Sequence, residues 1–145
     1  WMTVKQLQGF YEDFYADFQR ERSEEMLDRL EISAKQRMKH MSKGTREKVQ
    51  LILAMSRAAK LYLLDEPIGG VDPAARDYIL STILNNYSRD ATVILSTHLI
   101  GDIEPILDEA VFLKDGRVFA HRNAEELRET EGMSVDAYFR EVFKC

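Results

Sequence analysis

The twelve residues Leu61–Asp72 read LYLLDEPIGGVD. An apolar run ends on two adjacent acids, Asp65 and Glu66, and Pro67, Gly69 and Gly70 then break the chain. A short continuous apolar run bounded by turn residues reads as a strand buried on both faces. Charge at the end of such a strand has to be hydrogen-bonded, paired or bound to a cation.

Outward from this stretch the sequence alternates between helical and strand patterns. Thr3 to about Lys39 has no proline and many Glu, Arg, Lys, Gln and Met, which predicts two or three helices. Phe10, Phe14 and Phe18 fall four apart with Tyr11 and Tyr15 beside them, an aromatic stripe with two readings: core packing, or a docking face for a partner helix. Val49, Ile52, Leu53 and Met55 lie on overlapping faces of a helix from Gly44 to about Ala59, with Ser42 at the capping position. Asp72 followed by Pro73 opens another helix through about Tyr87, and Ala91 to Leu95 reads as a second buried strand. Ile100 to Leu107 reads as a short helix that tolerates Pro105 only if Asp102 caps it. The Asp115-Gly116 pair marks a tight hairpin between Ala110–Leu113 and Arg117–Ala120, and two helices, Ala124–Glu129 and Val135–Phe143, close the chain.

Strands alternating with helices predict an α/β fold with a mostly parallel sheet, whose chemistry collects beyond the carboxyl ends of the strands. Asp65 and Glu66 stand at one such end; Ser96, Thr97 and His98 stand at the other. Strands joined by one helical crossover are neighbours, so these groups can converge.

The 145 residues suit one ordinary domain. A net charge of −5 suits a cytosolic protein and argues against nucleic acid as a partner. The one cysteine, Cys145, is the last residue, which rules out an intrachain disulfide or a cysteine zinc site and fits a reducing compartment. No apolar run approaches the roughly 20 residues of a membrane-spanning helix, so contact with a membrane is expected to go through a partner.

Two acids at a strand end suit a magnesium nucleotide, the first carboxylate holding the ion or its waters and the second orienting an attacking water. A strand leaving the core for solvent can end the same way. Ser42, Lys43, Gly44 and Thr45 open a helix whose unpaired N–H groups and positive dipole end suit phosphate, although a serine there is also simply a cap.

Taken in order, these motifs resemble the C-terminal part of an ATP-binding subunit of an ABC transporter. Met41–Thr45 (MSKGT) resembles the signature motif, usually LSGGQ; Leu61–Pro67 resembles Walker B, Gly69–Asp72 (GGVD) the D-loop, and Ser96–His98 (STH) the switch-histidine loop. The resemblance implies a partial P-loop NTPase fold, with a helical signature subdomain over residues 1–41 and the C-terminal part of the α/β ATPase core over 42–145. It implies ATP and Mg2+ as ligands. Asp65 would hold magnesium through water, Glu66 would polarise the hydrolytic water, and His98 would contact the γ-phosphate. Ser42 and Gly44, within the motif that also contains Lys43 and Thr45, would bind the γ-phosphate of ATP held by an opposite subunit, and Asp72 would help join the two. Implied partners are a second ATP-binding subunit and membrane-spanning subunits, which would place the protein at the inner face of the cell membrane.

Three positions depart from the family pattern. Lys43 replaces a glycine, Thr45 replaces the glutamine, and Leu53 stands where arginine is frequent. The lysine is similar to that of exporters of the bacitracin and multidrug type. No G-x-x-x-x-G-K-[ST] occurs in the sequence, so the chain is expected to be a fragment, inactive alone, with its phosphate loop upstream. The alternative is a non-catalytic interaction module on the same scaffold.

Overall fold

The computed structural model describes residues 1–143, so Cys145 lies outside the described residues. The chain divides into two compact units, Trp1–Thr97 and His98–Cys145. The boundary expected at 41–42 falls inside the first of them.

The first unit begins with α1 (Val4–Phe14), α2 (Arg20–Arg29) and a 3-10 turn at Met38–His40. Thr3 and Gln6 cap α1 reciprocally: Thr3 Oγ1 accepts from the Gln6 N–H at 3.2 Å, and Gln6 Oε1 accepts from the Thr3 N–H at 2.9 Å. The next two amides, which no helix can satisfy internally, find carbonyls in the returning chain. Val4 N–H donates to Gln36 at 3.1 Å and Lys5 N–H to Ala34 at 2.9 Å. The inward row of α1 is Val4 and Gln8, both buried, followed by half-buried Tyr11. Phe10 and Phe14 lie on another face, their rings tilted by 30° with centres 4.4 Å apart, and are 46% and 68% exposed. The core-packing reading therefore fails for these two rings, because the helix turns a different i, i+4 row inward.

Ser42 caps α3 (Lys43–Met55) by accepting from the Thr45 N–H at 3.1 Å. α3 buries Val49, Leu51, Ile52, Leu53 and Met55 and packs against α1, α2 and α4 (Pro73–Asn85). Burying five such side chains supplies on the order of 10 kcal/mol before chain entropy is charged against it. Leu53, at the position where arginine is frequent, is 2% exposed and serves packing. Beyond α3, Arg57 closes the helical layer. It donates to both Asp17 carboxylate oxygens, at 3.0 and 3.1 Å, and lies 3.9 Å from the centre of the Tyr15 ring. The Asp17 hydrogen bonds raise the guanidinium above its ordinary range despite partial desolvation.

β1 (Leu61–Asp65) and β2 (Thr92–Ser96) pair in parallel, in a register that sets Leu63 opposite Ile94 and Asp65 opposite Ser96. The expectation of burial on both faces does not hold. Tyr62 is buried, whereas Leu61, Leu63 and Ile94 are 51%, 70% and 56% exposed. The sheet has two strands among the described residues, and one row of their side chains is left largely exposed.

In the second unit, β3 (Glu109–Lys114) and β4 (Arg117–Asn123) form an antiparallel hairpin, followed by α6 (Ala124–Glu131) and α7 (Val135–Val142). Ala110, Phe112, Leu127 and Val135 form its core, with Tyr138, Phe139 and Phe143 packed against them. Between His98 and the hairpin, α5 is only Ile100–Ile103 and passes into a 3-10 turn at Glu104–Ile106. Asp102 does not cap it. Pro105 is accommodated in the first turn of the tighter helix, where its missing N–H has no partner to lose.

Candidate functional site

The carboxyl end of the parallel pair gathers four oxygen-bearing side chains. Ser96 Oγ donates to Asp65 Oδ1, and Thr97 Oγ1 donates to Glu66 Oε2 at 3.0 Å. Register makes both bonds possible, since the strands end level and β1 delivers its two acids against the two hydroxyls of β2 and the residue after it. The backbone closes the corner. Glu66 N–H donates to the Ser96 carbonyl at 2.9 Å, and Gly69 N–H donates to the Glu66 carbonyl at 3.0 Å.

Glu66 itself adopts φ +45°, a left-handed conformation that costs a residue with a Cβ about 1–3 kcal/mol and persists only where its surroundings impose it. Gly69 permits the turn by being small: a Cβ there would lie 3.2 Å from the Glu66 carbonyl oxygen. Ile68 and Val71, fully and nearly fully buried, anchor the loop that carries on to Asp72. The Asp72 carbonyl accepts from the Arg76 N–H at 3.1 Å as the first bond of α4, and Arg76 Nε donates to the Val71 carbonyl at 3.1 Å.

A cleft of about 460 Å³ lies between this corner and α3. Asp65 and Glu66 rim it from the strand, Lys43, Glu47 and Gln50 from the helix, and Leu51, Leu63 and Leu64 contribute apolar wall. Lys43 Nζ is 3.8 Å from Glu47 Oε1 in an ion pair whose lysine side chain is 85% exposed, a pairing that contributes little. Ser42, Gly44 and Thr45 sit at the start of α3, where the Ser42 and Thr45 hydroxyls also bond each other at 2.9 Å. Of the residues singled out in the sequence, the structure thus brings Lys43, Asp65 and Glu66 to one cleft and Ser96 and Thr97 onto the acids. His98 opens the second unit as an exposed residue and is described with that unit. Glu47 and Gln50 went unnoticed in the sequence; their signal was spacing, four and seven residues beyond Lys43 on a helix.

A parallel strand pair with acids at its carboxyl end, beside a capped helix N-terminus, is an α/β arrangement in which ligands bind beyond the strand ends. Residues 12–101 match the family model described as "AAA domain, putative AbiEii toxin, Type IV TA system". The ABC-type transporter ATP-binding protein EcsA of Bacillus subtilis (strain 168) is 34% identical over 108 residues, covering 72% of this chain and 44% of that protein. The daunorubicin resistance ATP-binding protein DrrA3 of Streptomyces coeruleorubidus is 28% identical over 126 residues, covering 85% of this chain and 40% of that one. A solved ATP-binding subunit of an ABC transporter superposes with a TM-score of 0.83 at 29% identity, covering 97% of this chain and 62% of that chain. The chain belongs to this AAA-domain family and to the ABC transporter ATP-binding proteins. It spans less than half the length of the two curated relatives.

Proposed function

We propose that the chain forms part of an ATP-binding subunit that hydrolyses ATP to drive transport across a membrane. The observation that carries this reading is the corner itself: Asp65 and Glu66, fastened by Ser96 and Thr97, on the rim of a cleft that reaches the start of α3. Its donors are all oxygens, the set a hard cation such as Mg2+ takes, and no three His, Cys, Asp or Glu side chains converge on a metal cage among the described residues. A magnesium ion here would rely on Asp65, water and nucleotide phosphates, and would neutralise phosphate charge when bound.

In this reading Asp65 holds the ion through water, and Glu66 polarises the hydrolytic water and takes up its proton. His98 contacts the γ-phosphate. Ser42, Lys43, Gly44 and Thr45 present the positive end of α3 to ATP held by a second subunit, and Asp72 lies at that junction. Membrane-spanning subunits are the further partners, and they place the protein at the inner membrane face. Export is favoured by two relatives, the daunorubicin resistance protein and a Nod factor export ATP-binding protein.

Glu66→Gln tests the assignment in the complete subunit. ATP binding is expected to persist while turnover falls by roughly 10²–10⁴-fold, the usual contribution of a positioned general base. Undiminished turnover refutes the role of Glu66. The alternative, a non-catalytic interaction module, draws support from the two exposed rings of α1 and is favoured if the complete protein binds no ATP in calorimetry.

A further inference from the structure

Thr97 takes no part in holding the ion or in accepting the proton from water. Yet the Thr97 hydroxyl holds one specific atom, Glu66 Oε2, at 3.0 Å. The Glu66 backbone is already fixed by the Ser96 and Gly69 bonds and by its left-handed conformation, so the remaining freedom lies in side-chain torsions. Tying one carboxylate oxygen to the residue after the neighbouring strand restricts those torsions.

We propose that Thr97 is a positioning residue, whose hydroxyl sets the carboxylate plane of Glu66 toward the water it deprotonates. The proposal rests on Glu66 acting as general base. A base aimed in advance loses less entropy on reaching the transition state, and a small misorientation of such a group lowers the rate without touching substrate affinity. A threonine that served only to finish the strand would make no such distinction between kcat and KM.

In the complete ATP-binding subunit, Thr97→Val keeps the side-chain shape and removes the hydroxyl. It is expected to lower kcat about tenfold with KM for ATP unchanged, and Thr97→Ser is expected to restore kcat to within about twofold of the parent. In the chain itself, the carbon NMR shift of the Glu66 carboxyl group should move in Thr97→Val and stay in Thr97→Ser. Thr97→Ala is read by the same criteria, so that a folding defect in the valine variant does not decide the matter. Parental kcat in the folded variants lacking the hydroxyl, equal losses in Thr97→Val and Thr97→Ser, or a Glu66 signal indifferent to both overturns the proposal. Full turnover in Glu66→Gln overturns it together with the reading beneath it, whereas loss of turnover there with parental kcat in Thr97→Val overturns the role of Thr97 alone.

Discussion

The two strand pairs solve the same problem by opposite means. The hairpin β3–β4 is local: Asp115 and Gly116, at φ +50° and +72°, form the kind of turn whose twist matches antiparallel strands. The turn sets its register, which shifts once between Phe112 and Leu113, and Phe112 anchors the inner face among Tyr138, Phe139 and Phe143. The parallel pair β1–β2 has no such turn. It needs the α4 crossover to bring its strands together, and side-chain bonds at the carboxyl end accompany the ladder: Asp65 to Ser96 and Glu66 to Thr97. The candidate site therefore sits on the pair whose alignment is non-local. The four side chains proposed for it also join the two strand ends.

The comparison predicts that packing dominates in the hairpin and polar fastening in the parallel pair. Phe112→Ala should have the largest effect, about 3–5 kcal/mol in denaturant unfolding of the second unit, because the ring is 4% exposed and touches three other aromatics. Tyr62→Phe should cost about 1–2 kcal/mol. Its hydroxyl donates to the Arg57 carbonyl at 2.5 Å and accepts from the Ala59 N–H at 3.3 Å, tying the start of β1 to the end of α3. Equal losses from the two substitutions would break the contrast. Gly116→Ala sharpens it at the turn: a Cβ meets no atom within 4 Å there, so the expected loss of about 1 kcal/mol comes from the left-handed backbone alone.

Local rules made much of this legible in the sequence. The Ser42 cap, the strand ending at Asp65, the Asp72-Pro73 helix start and the Asp115-Gly116 turn each depend on residues within a few positions of one another. The misreadings share a non-local cause. Spacing of four in Phe10 and Phe14 was compatible with a core row, but the burial of Val4 and Gln8 depends on where α2 and α3 lie. Pro105 is taken up by a 3-10 turn after a one-turn helix, in place of the Asp102-capped helix expected over Ile100–Leu107. At the site, the acids and hydroxyls were visible as strand ends. Neither the left-handed turn of Glu66 nor the bond from Thr97 could be read there, since both arise from register between strands joined across α4.

The smallest expected effect is the most direct test of the parallel pair. Leu63 and Ile94 are register partners, one 70% and the other 56% exposed, so they remove little apolar surface from water. Replacing Leu63 with threonine introduces a β-branched residue of good strand propensity and should change unfolding free energy by no more than about 0.5 kcal/mol. A loss several times larger in the chain alone would mean that this row is covered in solution and that burial, rather than the fastening at Asp65 and Glu66, holds the strands together. A near-zero change, alongside a clear loss for Tyr62→Phe, leaves the polar bonds at the two ends of β1 as what keeps the acidic corner in register.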